Sequence, residues 1–288
     1  MRSRAFRQVD VFTDVPYRGN PVAVVLEGDG LDDEAMAAFA RWTNLSETTF
    51  VLPPTDPAAD YRLRIFTPSG ELPFAGHPTL GSCHAWLGGG GTAKDPDRVV
   101  QECGVGLVEI RRDGPRLAFA APPRRREGPL DDELLDRIAR GLGIARDAIL
   151  GHAWVDNGPG WCAVRLGTAA EVLAVRGDFG VLGDTKLGVV GPHPAGGPED
   201  PAFEVRAFFP GPPDPDGRVA VGFEDPVTGS LNASVAQWLR EEGLAPADYV
   251  AAQGTTLARA GRVHVHDDGE RIWVGGDCAV CIAGVVAV

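Results

Sequence analysis

The chain has 288 residues, length for about two domains, and its 44% hydrophobic content is ample for two cores. Lys and Arg number 27 against 40 Asp and Glu, so 27 − 40 gives −13. That balance argues against nucleic acid or an anionic membrane surface as the main partner, while leaving room for a small anionic substrate, because local N–H groups outweigh a distant net charge.

Met1-Arg-Ser-Arg-Ala-Phe leads straight into a strand without an apolar signal core. No apolar run is long enough for a membrane helix. The cysteines, Cys83, Cys103, Cys162, Cys278 and Cys281, are odd in number and scattered. They do not read as a disulfide framework, so a reduced cytoplasm is the expected compartment.

In chain order, residues 6–12 and 22–26 read as strands separated by a Pro- and Gly-rich turn. Asp32 or Asp33 caps a helix through Trp42, with Met36, Phe39 and Ala40 at helical spacing. Residues 45–52 read as a strand whose alternation puts Glu47 and Thr49 on one face and Thr48 and Phe50 on the other. Residues 61–66 form another. The stretch 66–81 then turns at a proline and passes through Ala75-Gly76-His77 into a buried helix over 80–87. Pro78 is expected at its first helical position, and Gly76 admits a ligand close to the backbone. Free N–H groups at such a helix start make an anion site, and Gly88 to Gly91 stop the helix. Residues 99–110 and 116–120 suggest a hairpin joined at Asp113-Gly114, and 121–129 a linker. A helix over 131–141, strands at 161–166 and 203–208, a loop over 188–201, a hairpin at 262–266 and 271–274, and an apolar closing strand over 278–288 complete the reading.

The pattern occurs twice. Phe208-Phe-Pro210 echoes Phe66-Thr-Pro68, and Thr228-Gly229-Ser230 echoes Ala75-Gly76-His77. Leu31-Asp-Asp-Glu34 pairs with Leu130-Asp-Asp-Glu133, Gln101 with Gln253, and Asp113-Gly-Pro-Arg116 with Asp268-Gly-Glu-Arg271. The offsets grow steadily along the chain, as loop insertions between two copies of one fold would make them. Two α+β domains follow, with the active site expected in the cleft between them.

Three side chains carry candidate chemistry. Glu47 lies among uncharged neighbours, where a desolvated carboxylate has a raised pKa and shuttles protons near neutrality; an ordinary solvated edge residue is the competing reading. Asp225 precedes a Gly-containing helix start and is placed to orient an ammonium or hydroxyl, with plain turn chemistry as the competitor. His77 could bond a carboxylate or donate a proton, or simply be satisfied by backbone. Cys278-Ala-Val-Cys281 and the pair His264 and His266 lack the further ligands a metal needs. Gly88 to Gly91 does not follow a strand as a phosphate loop does. Ser82 and Ser230 lack the flanking glycines of a hydrolase nucleophile.

The pieces Gly19-Asn-Pro21, Ser46-Glu-Thr-Thr-Phe-Val51, Arg64-Ile-Phe-Thr-Pro68, Glu71-Leu-Pro-Phe-Ala-Gly-His-Pro-Thr79, Glu224-Asp-Pro-Val-Thr-Gly-Ser230 and Gln253-Gly254 span most of the chain. Together they resemble the PhzF-like family of phenazine-biosynthesis isomerases. The resemblance implies the α+β fold of diaminopimelate epimerase: two pseudo-symmetric domains, each a mixed sheet wrapped around a central helix. Residues 1–122 and 129–278 are the expected domains, with the last strand, about 279–288, able to return to the first. The epimerase's two catalytic cysteines align with Ala75 and Thr228, which disfavours a two-thiol mechanism. By motif, the family's proton-moving glutamate falls on Glu47, and its histidine and aspartate on His77 and Asp225. Gly76, Gly229 and Ser230 would present N–H groups to a substrate carboxylate. The implied activity is a proton shift within a small unsaturated cyclic amino acid or carboxylate such as trans-2,3-dihydro-3-hydroxyanthranilate. No cofactor or metal is implied, nor a nucleic-acid or membrane partner; a homodimer is. An epimerase with a non-thiol base and a catalytically silent small-acid-binding protein are the alternatives.

Overall fold

The computed structural model describes residues 2–197, 199–211 and 222–288. Met1–Ala120 with Gly275–Val288 form one compact unit, and Ala121–Val274 form a second. The first contains strands β1 (Ser3–Val11), β2 (Asn20–Val25), β3 (Glu47–Leu52), β4 (Tyr61–Thr67), β5 (Gly70–Leu72), β6 (Arg98–Cys103), β7 (Gly106–Asp113) and β8 (Arg116–Ala120), with helices α1 (Asp33–Thr43) and α2 (Gly76–Gly88). Strand β2 runs antiparallel to β1 and parallel to β3. Strand β4 is antiparallel to β3 and β5 and parallel to β6, and β6, β7 and β8 form an antiparallel meander.

The second unit holds helices α3 (Asp132–Leu142), α4 (Ala169–Ala174), α5 (Phe179–Leu182) and α6 (Gly229–Glu241). Its strands are β9 (Gly151–Trp154), β10 (Trp161–Arg165), β11 (Lys186–Pro192), β12 (Pro201–Phe209), β13 (Phe223–Asp225), β14 (Asp248–Gln253), β15 (Gly261–Asp267) and the start of β16 (Ile272–Gly276). The pairing repeats that of the first unit. Strand β10 is antiparallel to β9 and parallel to β11. Strand β12 is antiparallel to β11 and β13 and parallel to β14, which is antiparallel to β15. One topology therefore occurs twice. The last strand, β17 (Cys278–Ala287), belongs to the first unit and pairs antiparallel with β1.

Helix α2 packs against β1, β2, β3, β4, β6, β8 and β17, so the first sheet curls around it. A helix enclosed in this way has no wet face to make polar, and nine of its residues are buried on all sides. Gly81 is what allows the approach: a Cβ there would lie 2.4 Å from Val22 Cγ1 and 2.8 Å from Val11 Cγ2. Helix α1 covers the other face, where Met36 and Ala40 pack with Phe6, Ala23, Val25, Phe50 and Phe66. Asp32 caps it, accepting from the Ala35 N–H at 2.8 Å.

Four expectations change. Helix α2 starts at Gly76, so Pro78 is its third residue and not its first. The missing N–H still costs nothing there, because the whole first turn lacks intrahelical acceptors. Residues 99–110 are two strands, turned at Gly104-Val105 with Gly106 at φ +99°. The supposed loop over 188–201 begins inside strand β11; Pro198 lies outside the described residues. Gly188 and Gly191 hid that strand, and Gly188 is there because a Cβ would sit 2.6 Å from Leu231 of α6. Finally, the match of Leu31-Asp-Asp-Glu34 with Leu130-Asp-Asp-Glu133 joins helices that are not equivalent. Helix α1 links β2 to β3, whereas α3 precedes β9, and the β10–β11 connection holds α4 and α5 instead. Both segments are capped helix starts with acidic first turns, Asp131 accepting from Leu134 N–H as Asp32 does from Ala35 N–H. Shared capping chemistry produced the likeness.

Gly81→Ala should lower the stability of the protein by about 1–3 kcal/mol through overpacking. Gly88→Ala, with nothing within 4 Å of its Cβ, should be neutral or stabilising by up to about 1 kcal/mol. Urea unfolding midpoints of the two variants check both.

Candidate active site

Glu47 is the first residue of β3, paired in parallel register with Val22. The alternation of the strand sends Glu47 and Thr49 toward α2: Thr49 Oγ1 lies 2.8 Å from Ser82 Oγ. Thr48 and Phe50 face the α1 side, where Thr48 Oγ1 meets Thr43 Oγ1 at 2.7 Å. His77 is the second residue of α2. Its Nε2 lies 3.2 Å from Glu47 Oε2, and the two side chains are 8% and 14% exposed. The approach is close but off the alignment of a formed hydrogen bond.

Burial pushes the His77 imidazole down to about 3, against an opposing hydrogen bond to the Pro21 backbone. The ring is therefore neutral at pH 7. Nε2 makes no hydrogen bond. In the turn between β1 and β2, Asp10 Oδ2 accepts the Gly19 N–H at 3.2 Å.

Asp225, Gly229 and Ser230 lie together in the second unit, at the start of α6. Thr228 is the N-cap and donates its hydroxyl to Asp225 Oδ2. The pivot of this turn is Gln253. Its Oε1 accepts from Thr228 N at 3.0 Å and Asn232 Nδ2 at 2.8 Å, and its Nε2 donates to the Asp225 carbonyl at 3.1 Å and Thr228 Oγ1 at 3.0 Å. Asp225 is thus both the turn former and a held carboxylate. Gln101 does related work in the first unit, donating to Thr79 Oγ1 at 3.1 Å and accepting from Tyr61 Oη at 2.9 Å. The repeat of Gln101 and Gln253 is visible in the sequence, but its task is not.

Ala75 and Thr228 occupy the same place, the N-caps of α2 and α6. Neither is a thiol, and nearby Cys83 is no substitute. Desolvation pushes its thiol up to about 12, far from a proton shuttle at neutral pH. The other sequence features are structural. Cys281 is the extra residue of a β-bulge in β17 opposite Gln8 and Val9, and His266 Nδ1 meets Asp248 Oδ1 at 2.6 Å. Among the described residues no three His, Cys, Asp or Glu side chains are grouped to hold a metal, and no helix is long and apolar enough to cross a membrane.

Sequence reasoning passed over two further features. A bidentate ion pair ties β4 to β5, with Arg64 Nε and Nη2 at 2.7 and 2.6 Å from Glu71. Its twin ties β12 to β13, with Arg206 at 2.8 and 2.7 Å from Glu224. Trp161 also reaches the α6 start, its indole N–H donating to Ser230 Oγ at 3.0 Å.

Acid stability isolates the buried histidine. The folded protein binds the His77 proton near 3, the unfolded chain near 6.5. Between those values the unfolded state holds more protons, so this contribution is complete above pH 6.5 and is lost as pH falls toward 3. The stability difference between wild type and His77→Asn should therefore shrink with a slope approaching about 1.4 kcal/mol per pH unit in that window. Parallel curves from denaturant titrations at stepped pH would contradict a buried neutral imidazole.

The profile of the phenazine biosynthesis-like (PhzC-PhzF) family matches residues 9–284. The chain is 35% identical to antisense-enhancing sequence 1 of Schizosaccharomyces pombe, over 99% of both chains. It is 32% identical to an uncharacterized isomerase of Pasteurella multocida, over 94% of this chain and 90% of the other. A trans-2,3-dihydro-3-hydroxyanthranilate isomerase of Pseudomonas aeruginosa is 47% identical over 38% of this chain and 39% of its own. In fold, the chain is similar to the Bacillus anthracis PhzF-family protein, with TM-score 0.81 and 21% identity over all of both chains. It is also similar to a hydroxyproline epimerase of Agrobacterium vitis, with TM-score 0.57 and 13% identity over 100% of this chain and 93% of that one. With two copies of an epimerase-like topology and a family match along nearly its whole length, the chain belongs to the phenazine biosynthesis-like (PhzC-PhzF) family of isomerases.

Proposed function

We propose that this protein shifts a proton within a small unsaturated cyclic amino acid or carboxylate, with Glu47 as the group that moves it. Trans-2,3-dihydro-3-hydroxyanthranilate is the first substrate to test, on the strength of the partial match to the Pseudomonas aeruginosa isomerase. The observation that carries the reading is the buried Glu47–His77 contact at 3.2 Å.

In this scheme the Glu47 carboxylate removes a proton from a ring carbon beside the π system. The electron pair left behind spreads over the unsaturated ring. The same carboxyl, now an acid, returns the proton to another carbon, so the net change is a moved hydrogen and a moved double bond. The Nε2 lone pair of neutral His77 accepts a hydrogen bond from the Glu47 acid between the two steps. That keeps the proton with the pair and away from water. Backbone N–H groups at Gly76, Gly229 and Ser230 hold the substrate carboxylate and the developing charge in fixed positions. Asp225, held by Thr228, orients a hydroxyl or ammonium on the substrate.

Glu47→Gln keeps the shape and removes the acid/base. It should lower turnover at least about a thousandfold while a substrate analogue still binds. Proton NMR in heavy water with dihydrohydroxyanthranilate and related cyclic amino acids reads both conversion and deuterium entry at carbon. Turnover retained in the folded Glu47→Gln protein would remove Glu47 from the mechanism.

A further inference from the structure

Ser230 is gripped from two sides. Its carbonyl accepts the Asn157 Nδ2 at 2.8 Å, and its Oγ accepts the Trp161 indole N–H at 3.0 Å. Asn157 lies in the short connection between β9 and β10, Trp161 is the first residue of β10 right after it, and the connection is itself pinned. Asp156 Oδ1 accepts from the Gly158 and Gly160 N–H groups at 2.7 and 2.6 Å, and Lys186 Nζ donates to the Pro159 carbonyl at 2.5 Å. Trp161 is 2% exposed, and its ring meets Phe209 edge-on at 5.8 Å. The indole is therefore not free to turn away.

The donor inventory then decides what Ser230 does. An indole nitrogen only donates, and a serine hydroxyl has one proton and two lone pairs. In the bond to Trp161, Oγ must be the acceptor, so its own proton is left for another group. None of its hydrogen bonds in the protein uses that proton. Ser230 is half-buried and belongs to the first turn of α6, where unpaired N–H groups and the helix dipole already favour an anion.

We propose that Trp161 is a specificity-determining positioning residue: by occupying one lone pair of Ser230 Oγ it commits the hydroxyl to donation and sets the α6 start for a carboxylate over the matching neutral carboxamide. The proposal rests on the reading of Ser230 as a carboxylate contact. A carboxylate offers only acceptors and fits a donor-only rim. A carboxamide turns an NH₂ group toward the rim in half of its orientations, and there it meets hydrogens. Donation into the hydroxyl oxygen also polarises its O–H and strengthens the bond it makes to an anion.

The test is calorimetric titration of the full chain with anthranilate and with anthranilamide. The readout is the ratio of their affinities, which a general loss of shape would not move because it weakens both ligands alike. Wild type should prefer anthranilate. Trp161→Phe should cut that preference about fivefold, and Ser230→Ala at least as much. Adding Trp161→Phe to Ser230→Ala should change the ratio no further. Should Trp161→Phe not fold, as judged by circular dichroism, 3-benzothienylalanine at position 161 keeps the bicyclic shape without the N–H and decides the matter. A preference unchanged by loss of the N–H, but lost in Ser230→Ala, would overturn the role of Trp161 and leave the carboxylate contact standing. A preference that survives Ser230→Ala, or is missing from wild type, would overturn the carboxylate contact and the role of Trp161 with it.

Discussion

A helix whose first turn is buried must find partners for backbone N–H groups that the helix itself leaves unmet. Both central helices face this problem, since α2 and α6 are buried along most of their length from Gly76 and Gly229 onward. The protein answers only in part. Gln253 takes the Thr228 N–H in the second unit, while Gln101 reaches only the Thr79 hydroxyl in the first. At each helix start the N–H groups that the helix itself leaves unmet concentrate the positive end of the dipole, beside the Glu47–His77 contact in the first unit and beside the Asp225–Thr228 turn in the second.

Two further devices make those helix starts rigid. The Arg64–Glu71 and Arg206–Glu224 forks each staple a short strand back onto the strand before it, just ahead of the helix. They are not equal. The first pair is 17% and 41% exposed, the second 7% and 9%, and Arg206 also bonds the Val172 and Val175 carbonyls at 3.1 and 2.6 Å. A buried pair of this kind contributes little net stability but strongly penalises any arrangement that separates it. Its role is to specify where β13 ends and the Asp225 turn begins.

How much of this was legible in the chain differs from residue to residue. Strand alternation correctly sent Glu47 and Thr49 to one side, because the period of two is enforced by the backbone. The repeat around Gly76 and Gly229 was visible because a glycine opens the central helix in both copies. The Leu-Asp-Asp-Glu match misled for the opposite reason, since any capped helix wants those residues. Strand β11 was missed at Gly188 and Gly191, where the glycines reflect close packing and not a turn. Nothing local marks Trp161 as a partner of Ser230: the two are 69 positions apart, and only the fold brings the start of β10 to the start of α6.

The pairing of β17 with β1 has a consequence for how the molecule assembles. The Arg2 N–H donates to the Val288 carbonyl at 2.9 Å, and the Val288 N–H donates back to Arg2 at 3.1 Å. The second unit is one continuous segment, but the first needs a strand that follows the whole of the second in sequence. Closing that ladder joins the most distant parts of the chain, the kind of contact with the largest entropic barrier. The sheet around Glu47 and His77 is therefore completed only by a strand drawn from beyond the whole of the second unit.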